Sequence, residues 1–565
     1  MRRVLSLIPP GYRGGCLKVA LLVPVKAILD LVGVAALLPV MMLVLDPEKL
    51  QASFLGRVSQ VLDFDSDARF AAFVICAVIL VLLVKIALSL LIVNYQNHYL
   101  LSLYRNLSSR LFVSLYSRGL LYIKNQNSAR MTFNVIGVCY NFVMGYLGGW
   151  MGLAGEAALV LLLLVALLIY SPVATSIAVC AFVPVVVLYL LLIRKPLREM
   201  SRKENDMRRE QHKLLNEAFK GYSEVQVNDA FPQIQRRFTD GLNGISRYRI
   251  RSGIIQSIPS YMLELSVVMI VAAMLIFSFT EAGAGMDLLF LGVFTVALLK
   301  LMPAVKGIIG SMSAISATQY SCEVISDINT PAVYNLLHDE DVTPMAFERE
   351  IEVRDLAFRY PDDEGEDIFS GLSFTIRKGL RYGIKGRTGA GKTTLFNILL
   401  GLYTPDRGAV LVDGVPLSVD NVASWHRIVG YVPQDVFVAD GTILENVSLG
   451  IPAGQVDRDR AMAALRQASL GDFVDGLPDG MDSRIGEGGC KLSGGQKQRL
   501  GIARALYKNA KVLFFDEATS ALDNRTEAEV NDAIAHLSDS DSTLTIIVIS
   551  HRDTTLSFCD EILQI

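Results

Sequence analysis

The sequence is short of charge, and what it has is balanced. Only 19% of its 565 residues are Asp, Glu, Lys or Arg, and its 53 basic side chains fall just below its 56 acidic ones. No cationic excess is available to neutralise nucleic-acid phosphates, so a nucleic-acid partner is not expected. Paired cysteine spacing is also missing. Cys16, Cys76, Cys139, Cys180, Cys322, Cys490 and Cys559 are scattered without a metal-ligand interval and read as reduced, small apolar residues. There is no solenoid-type repeat. No small-residue cleavage site follows the first apolar stretch, residues 17–45, which is about twice the length of a signal-peptide core and reads as a retained span.

In place of charge the chain has apolar length. With 52% hydrophobic residues and a mean hydropathy of +0.40, it is too apolar for a soluble enzyme. Six runs, near residues 17–45, 70–93, 150–170, 173–193, 259–279 and 288–310, come close to the roughly 20 residues a helix needs to cross a bilayer. The connections 94–149 and 194–252 are rich in Lys and Arg, whereas 171–172 and 280–286 carry none. The excess of cations places the long connections, both termini and the C-terminal half in the cytoplasm. Within 99–121 and 196–219, spaced apolar residues among charges predict helices that continue beyond the membrane, since a structureless connection of this length is improbable.

Five ionisable groups fall inside the spans: Lys26, Asp30, Lys85, Glu156 and Glu264. Each costs on the order of 3 kcal/mol near the bilayer centre, so it needs a partner or a cavity. Lys26 and Asp30, four apart on one helix, could pair, with Lys85 meeting Glu156 or Glu264. Alternatively Lys26 and Lys85 leave positive charge facing a cavity for an anionic group such as a pyrophosphate. Between the first two spans, Leu50, Phe54, Leu55, Val58, Val61 and Leu62 recur at helical spacing. They predict a short amphipathic helix on the outer membrane surface, engaging lipid tails or serving as a plain interfacial anchor.

After an acidic, Pro-containing linker at 339–346, strand-like runs alternate with helical patterns, as in a parallel-sheet nucleotide domain. The fold class expected is therefore an α-helical transmembrane domain (1–338; six spans with long cytoplasmic helical extensions) followed by an α/β P-loop ATPase domain (347–565). Gly386-Arg387-Thr388-Gly389-Ala390-Gly391-Lys392-Thr393, followed by Thr394, fits the phosphate loop. Its glycines let backbone N–H groups approach phosphates, the lysine reaches the β and γ phosphates, and the Thr393 hydroxyl ligates Mg²⁺. The apolar run ending in Phe514-Phe515 carries Asp516 and Glu517 at its C-terminal end, where open parallel sheets hold ligands. Two adjacent carboxylates there call for a cation.

Leu492-Ser493-Gly494-Gly495-Gln496, shortly before that strand, resembles the signature of the ATP-binding cassette (ABC) transporters, and the order of motifs is that of the exporter half-transporters. The resemblance implies ATP and Mg²⁺ as ligands and assigns further roles residue by residue. Tyr360, in Phe358-Arg359-Tyr360-Pro361, would stack on adenine. Gln434, in Val432-Pro433-Gln434, would contact Mg²⁺ and the attacking water. Asp516 would hold Mg²⁺ through water, and Glu517 would polarise the attacking water. Asp523, in Ser520-Ala521-Leu522-Asp523, would link two sites across a dimer, and His551, after Ile549-Ser550, would contact the γ-phosphate. Ser493 and Gly495 would close over the γ-phosphate held by another chain, because one cassette covers only one side of a loose phosphoryl transition state. A homodimer follows as the simplest expectation.

Short coupling helices are expected near residues 125–131 and 221–232. Arg484 stands where many exporters carry an acidic residue, which leaves the salt-bridge pattern of that segment open. Three apolar stretches, Leu7-Ile8-Pro9-Pro10, Leu31-Val32-Gly33-Val34 with Leu38-Pro39, and Leu298-Leu299-Lys300-Leu301-Met302-Pro303-Ala304, resemble the PglK-type lipid-linked oligosaccharide flippases, as does Glu217 onward to Val227. The functions implied are ATP-driven export or flipping of an amphipathic or lipid-linked substrate across the cytoplasmic membrane, or export of peptides or hydrophobic drugs. A DNA-repair type of ATPase is excluded by the spans, and an importer is disfavoured because importers usually keep membrane and ATPase parts on separate chains. No peptidase region precedes the first span, so leader-peptide processing is not expected.

Overall fold

The computed structural model describes residues 7–45, 67–170, 194–278, 288–326, 342–361, 367–387, 389–518 and 542–565, with isolated positions between them. Two compact units result: Met1–Ser114 with Ser128–Thr330, and Leu115–Asn127 with Pro331–Ile565.

The first unit is helical: α1 (Pro10–Ala35), α2 (Leu38–Leu45), α3 (Asp67–Tyr116), with α4 (Leu120–Asn125) following it in the chain, then α5 (Ser128–Phe133), α6 (Gly148–Tyr170), α7 (Arg194–Lys220), α8 (Tyr222–Val227), α9 (Phe231–Ser278), α10 (Leu288–Thr318) and α11 (Ser321–Ser326). Among the described residues five stretches are long and apolar enough to cross a membrane: Pro10–Val44, Ala68–Tyr116, Asn141–Ile169, Phe231–Ala272 and Phe294–Thr318. The expected fourth span, 173–193, lies almost wholly outside the described residues, as does the amphipathic stretch from Leu50 to Leu62. Large apolar side chains on α3, among them Leu80, Leu83, Leu90 and Leu91, are exposed over more than half their surface. In a soluble protein such a patch would be a liability; on a helix of this kind it faces lipid.

At 50 residues α3 is about 75 Å long, more than twice a hydrocarbon core of about 30 Å, so most of its polar second half must continue outside the bilayer as expected. Helix α7 packs along α9, and the join is electrostatic: Glu204, buried on α7, takes Arg208 at 2.9 Å and Arg249 of α9 at 3.8 Å. The seam between α6 and α10 is built from small residues. A Cβ on Gly149 would lie 2.9 Å from Ile315 Cγ1, and one on Gly152 would lie 2.7 Å from Ser311 Oγ. Removing those side chains lets the two backbones approach closely, the usual solution where lipid gives helices no hydrophobic reason to associate.

The second unit holds two sheets. Strands β1 (Glu350–Phe358), β2 (Phe369–Arg377), β4 (Arg407–Val412) and β5 (Val415–Pro416) form an antiparallel sheet ordered β2-β1-β4-β5. Strands β3 (Arg381–Lys385), β6 (Val429–Val432), β7 (Val512–Asp516), β8 (Thr545–Ile549) and β9 (Glu561–Gln564) form a parallel sheet ordered β6-β7-β8-β3-β9. The antiparallel sheet is an addition to the parallel domain expected from the sequence. It arises because β1 begins with partly buried and buried positions in alternation and β4 begins exposed, while β7 and β8 are buried at every residue and need cover on both faces. Helix α12 (Lys392–Leu399) follows β3, and helix α13 (Gly494–Tyr507) precedes β7. Phe358, Phe396, Trp425 and Phe514 anchor the core between the sheets.

Two expectations about the cytoplasmic ends need correction. Helix α3 stops at Tyr116, not near residue 121, because Gly119 takes a left-handed φ of +85° that a continuing helix cannot use. The short helix that joins the ATPase unit is α4, Leu120–Asn125, within Leu115–Asn127. It lies about one turn earlier than the expected 125–131, because the apolar Leu120, Leu121 and Ile123 look in sequence like a continuation of the preceding helix.

Candidate functional site

The phosphate-loop residues lie between β3 and α12. Gly391 has φ +86°, and a Cβ there would sit 2.5 Å from Ile368 Cγ2 and 2.8 Å from Phe369 Cζ. Only glycine meets both the left-handed turn and the aromatic wall. The turn curls the loop around Lys392, whose buried ammonium donates to the carbonyls of Gly386 at 3.0 Å and Arg387 at 3.1 Å. The first backbone N–H groups of α12 thus converge with a fixed cation, which is an anion-binding arrangement. Gly389 and Arg387 are exposed beside Ala390, and Thr388 lies outside the described residues.

Strand β7 delivers the carboxylates as expected. Thr393 Oγ1 stands 3.5 Å from Asp516 Oδ1, and the Tyr431 hydroxyl donates to Asp516 Oδ2 at 3.4 Å. Burial, and then the charge of Glu517, push the Asp516 carboxyl above the ordinary carboxylate range, against the two hydroxyls and Lys124. A hydroxyl and a carboxylate side by side form a hard oxygen donor set that suits Mg²⁺.

Glu517 follows in a left-handed conformation, φ +47°, which strains a residue with a Cβ. Its N–H donates to the Ile549 carbonyl at 3.0 Å, and this bond at the end of β8 holds the turn. The carboxylate is gripped from two sides: Gln434 Nε2 donates to Oε2 at 3.4 Å, and His551 Nε2 meets Oε1 at 2.9 Å. Because a carboxylate only accepts, the imidazole proton belongs on Nε2. Three residues distant in sequence therefore meet at one carboxylate.

Tyr360 packs edge-on against Phe358, with ring centroids 5.4 Å apart, and its hydroxyl pairs with Thr394 Oγ1 at 2.9 Å. The signature serine caps α13: Gln496 N–H donates to Ser493 Oγ, and Ser493 N–H to Gln496 Oε1. This capping box gives Ser493 and Gln496 a structural duty that the motif alone does not reveal, and it fixes where Gly494 and Gly495 begin the helix. Asp523 lies outside the described residues.

Sequence reasoning missed Tyr431 and Gln498 as site residues. Gln498 Nε2 donates to the Gln434 carbonyl at 2.7 Å and so ties the segment carrying Gln434 to α13. Their only signal was proximity to motifs, Tyr431 three residues before Gln434 and Gln498 two after Gln496.

In the membrane unit Lys85 Nζ lies 2.6 Å from Asp30 Oδ1. Asp30 therefore pairs between α1 and α3, not with Lys26 along its own helix. Glu156 on α6 lies over Gly307 of α10, where a Cβ would stand 2.7 Å from its Cγ.

Residues 369–520 match the family described as ABC transporter, and residues 48–301 the family described as ABC transporter transmembrane region. An ATP-dependent lipid A-core flippase of Bordetella avium (strain 197N) is 31% identical over 428 residues, 74% of this chain and 70% of the relative. A protein of the same name from Ralstonia nicotianae (strain ATCC BAA-1114 / GMI1000) is 30% identical over 454 residues, 77% of this chain and 73% of the relative. A solved bacterial Atm1-family ABC exporter with ATP bound shares the fold, with a TM-score of 0.70 at 22% identity over 98% of this chain and 93% of that one. The phosphate loop, the carboxylates at the end of β7 and the apolar membrane helices thus sit on one multi-pass chain that binds and hydrolyses ATP to drive transport, and the chain belongs to the ABC transporter family, in the exporter half-transporter arrangement.

Proposed function

We propose that the chain acts as a homodimeric flippase of the cytoplasmic membrane, moving a glycolipid of the lipid A-core kind, with the ATPase unit in the cytoplasm. The observation that carries this reading is the 30–31% identity to lipid A-core flippases across about three quarters of the chain, membrane region included. The lipid-facing apolar surface of α3 and the charged groups Lys26, Asp30, Lys85 and Glu156 among apolar helices suit a substrate with an acyl part and a charged part.

Within the ATPase, Lys392 and the N-terminus of α12 hold the phosphates, and Tyr360 takes the adenine. Thr393 and Asp516 would hold Mg²⁺ with Gln434, and the ion when bound would supply positive charge to offset that of the phosphates. Glu517, steadied by Gln434 and His551, orients the attacking water. Ser493 and Gly495 of one protomer complete the site of the other, and Asp523 lies between the two.

The dimer is tested by cysteine pairing. Ala390→Cys on one protomer and Ser493→Cys on the other should crosslink with ATP in a Glu517→Gln background; Ala390 avoids the strain that Gly389, at φ +87°, would impose. Absence of an interchain product with ATP would reject the shared site. The substrate is tested by ATPase stimulation in nanodiscs across lipid A-core glycolipids, lipid-linked saccharides, peptides and hydrophobic drugs. Stimulation confined to peptides or drugs would overturn the lipid reading.

A further inference from the structure

Glu527 is a carboxylate that the ATPase unit buries almost completely, outside every motif from which the site was read. The described residues between 527 and 535 are helical, and Glu527, Val530, Asn531 and Ile534 fall on one face of that helix. Val530 and Ile534 belong to the same core as Leu513 of β7 and Ile546 of β8, which fixes the helix and commits Glu527 to the interior. A carboxylate taken out of water is costly unless it is paired and its oxygens accept hydrogen bonds.

Its partners among the described residues follow His551 directly. Arg552 Nη1 pairs with Oε2, Thr554 Oγ1 donates to Oε1 at 2.8 Å, and Thr555 Oγ1 donates to the same oxygen at 3.5 Å. Asn531 Nδ2, one turn along the helix from Glu527, donates in turn to Thr555 Oγ1 at 3.4 Å. On the other side of His551, Ser550 is buried and its hydroxyl accepts the Arg552 N–H at 3.1 Å. The histidine is thus held through its neighbours. Its own side chain is 41% exposed, too open for packing alone to fix the ring, yet Nε2 stands 2.9 Å from Glu517 Oε1.

We propose that Glu527 is a positioning residue for ATP hydrolysis: it anchors residues 552–555 so that the His551 imidazole reaches the Glu517 carboxylate at hydrogen-bond distance. The inference rests on the roles given above to Glu517 and His551, and it adds the group that sets the second of them. Glu527 itself touches neither nucleotide nor water and works through His551. A displacement of about 1 Å at a reacting centre can cost about a hundredfold in rate, so the anchor matters even though it lies behind the site. Neutralising Glu527 weakens its hold on Arg552 and lets the segment drift. None of these bonds involves the phosphate loop between β3 and α12, so nucleotide affinity should not depend on them.

The test is hydrolysis of radiolabelled ATP by the full-length protein in nanodiscs, followed over hours so that slow variants stay measurable, with nucleotide affinity taken from equilibrium binding of a fluorescent ATP analogue. Glu527→Gln should lower kcat about tenfold, while KM and the equilibrium affinity stay within about twofold of the parent. Thr554→Val removes one hydroxyl donor and keeps the ion pair; it should lower kcat about twofold in the same pattern, and it carries the test if Glu527→Gln does not fold. A double-mutant cycle separates positioning from general structural support. In a His551→Ala background neither substitution should slow hydrolysis further, because Glu527 acts through the imidazole. Parental kcat in folded Glu527→Gln, losses that multiply with that of His551→Ala, or a parallel loss of nucleotide affinity would each overturn the proposal. If His551→Ala alone hydrolyses ATP at the parental rate, the role given to His551 fails first, and the proposal falls with it.

Discussion

In the ATPase unit each polar group of the site is anchored individually: Lys392 on two carbonyls, Asp516 beside two hydroxyls, Glu517 between Gln434 and His551. The membrane unit is organised differently. Its helices meet through small residues, Gly149 and Gly152 against α10, and its intramembrane charges are few, with Asp30 closed on Lys85 and Glu156 laid over Gly307. The contrast follows from the two ligands. Phosphoryl transfer needs groups held in fixed directions within tenths of an ångström, whereas an acyl chain asks for apolar area and little direction. A single-atom change should therefore be ruinous in one unit and graded in the other.

The largest effect should come from Glu517→Gln. Steady-state hydrolysis should fall about 100-fold or more, while nucleotide affinity, measured separately by equilibrium binding, stays within a few-fold of the parent. Lys392→Ala should lose affinity as well as turnover, because it removes the cation from inside the loop. Near-normal hydrolysis in Glu517→Gln would break the comparison at its strongest point.

Next in size is the ion pair of the membrane unit. Lys85→Gln leaves Asp30 without its partner, and transport in proteoliposomes should drop several-fold while basal ATPase persists, since leaving one member of a half-buried intramembrane pair uncompensated is worse than removing both. The double variant Asp30→Asn with Lys85→Gln should recover part of the loss. Equal loss of transport and ATPase in Lys85→Gln would show that the pair holds the fold together and does not serve transport.

Close helix packing should give a smaller, purely structural effect. Gly149→Val should lower the melting temperature of the solubilised protein by an amount that reflects about 1–3 kcal/mol of overpacking against Ile315 and Ser311. The smallest effect should appear in the ATPase unit away from the chemistry. Thr442 caps a short helix in a reciprocal box with Glu445, and Thr442→Ala should cost about 1 kcal/mol of stability with turnover close to that of the parent.

The same contrast explains what could be read from the sequence. Motifs with fixed spacing point to Lys392, Thr393, Asp516 and Glu517, because a turn that admits only glycine and a strand buried on both faces leave few alternatives. The left-handed Glu517 and the grip of Gln434 and His551 on its carboxylate were not legible, since they depend on residues more than thirty positions apart meeting at the end of one sheet. In the membrane unit hydropathy points to the five spans found among the described residues but not to their partners. Helical spacing allows Lys26 to pair with Asp30, and the observed pair is Lys85 with Asp30, because a contact between helices is invisible to a rule written for one helix. Likewise Leu120 and Leu121 looked like the continuation of a helix and instead carry a segment of the ATPase unit.

The most direct test of the account is translocation itself. The purified chain, reconstituted in proteoliposomes with a fluorescent lipid A-core glycolipid, should move the label between leaflets only with ATP and Mg²⁺, and the Glu517→Gln variant should bind ATP without moving it. Label movement that proceeds equally without ATP, or equally in Glu517→Gln, would contradict the claim that this ATPase drives lipid transport.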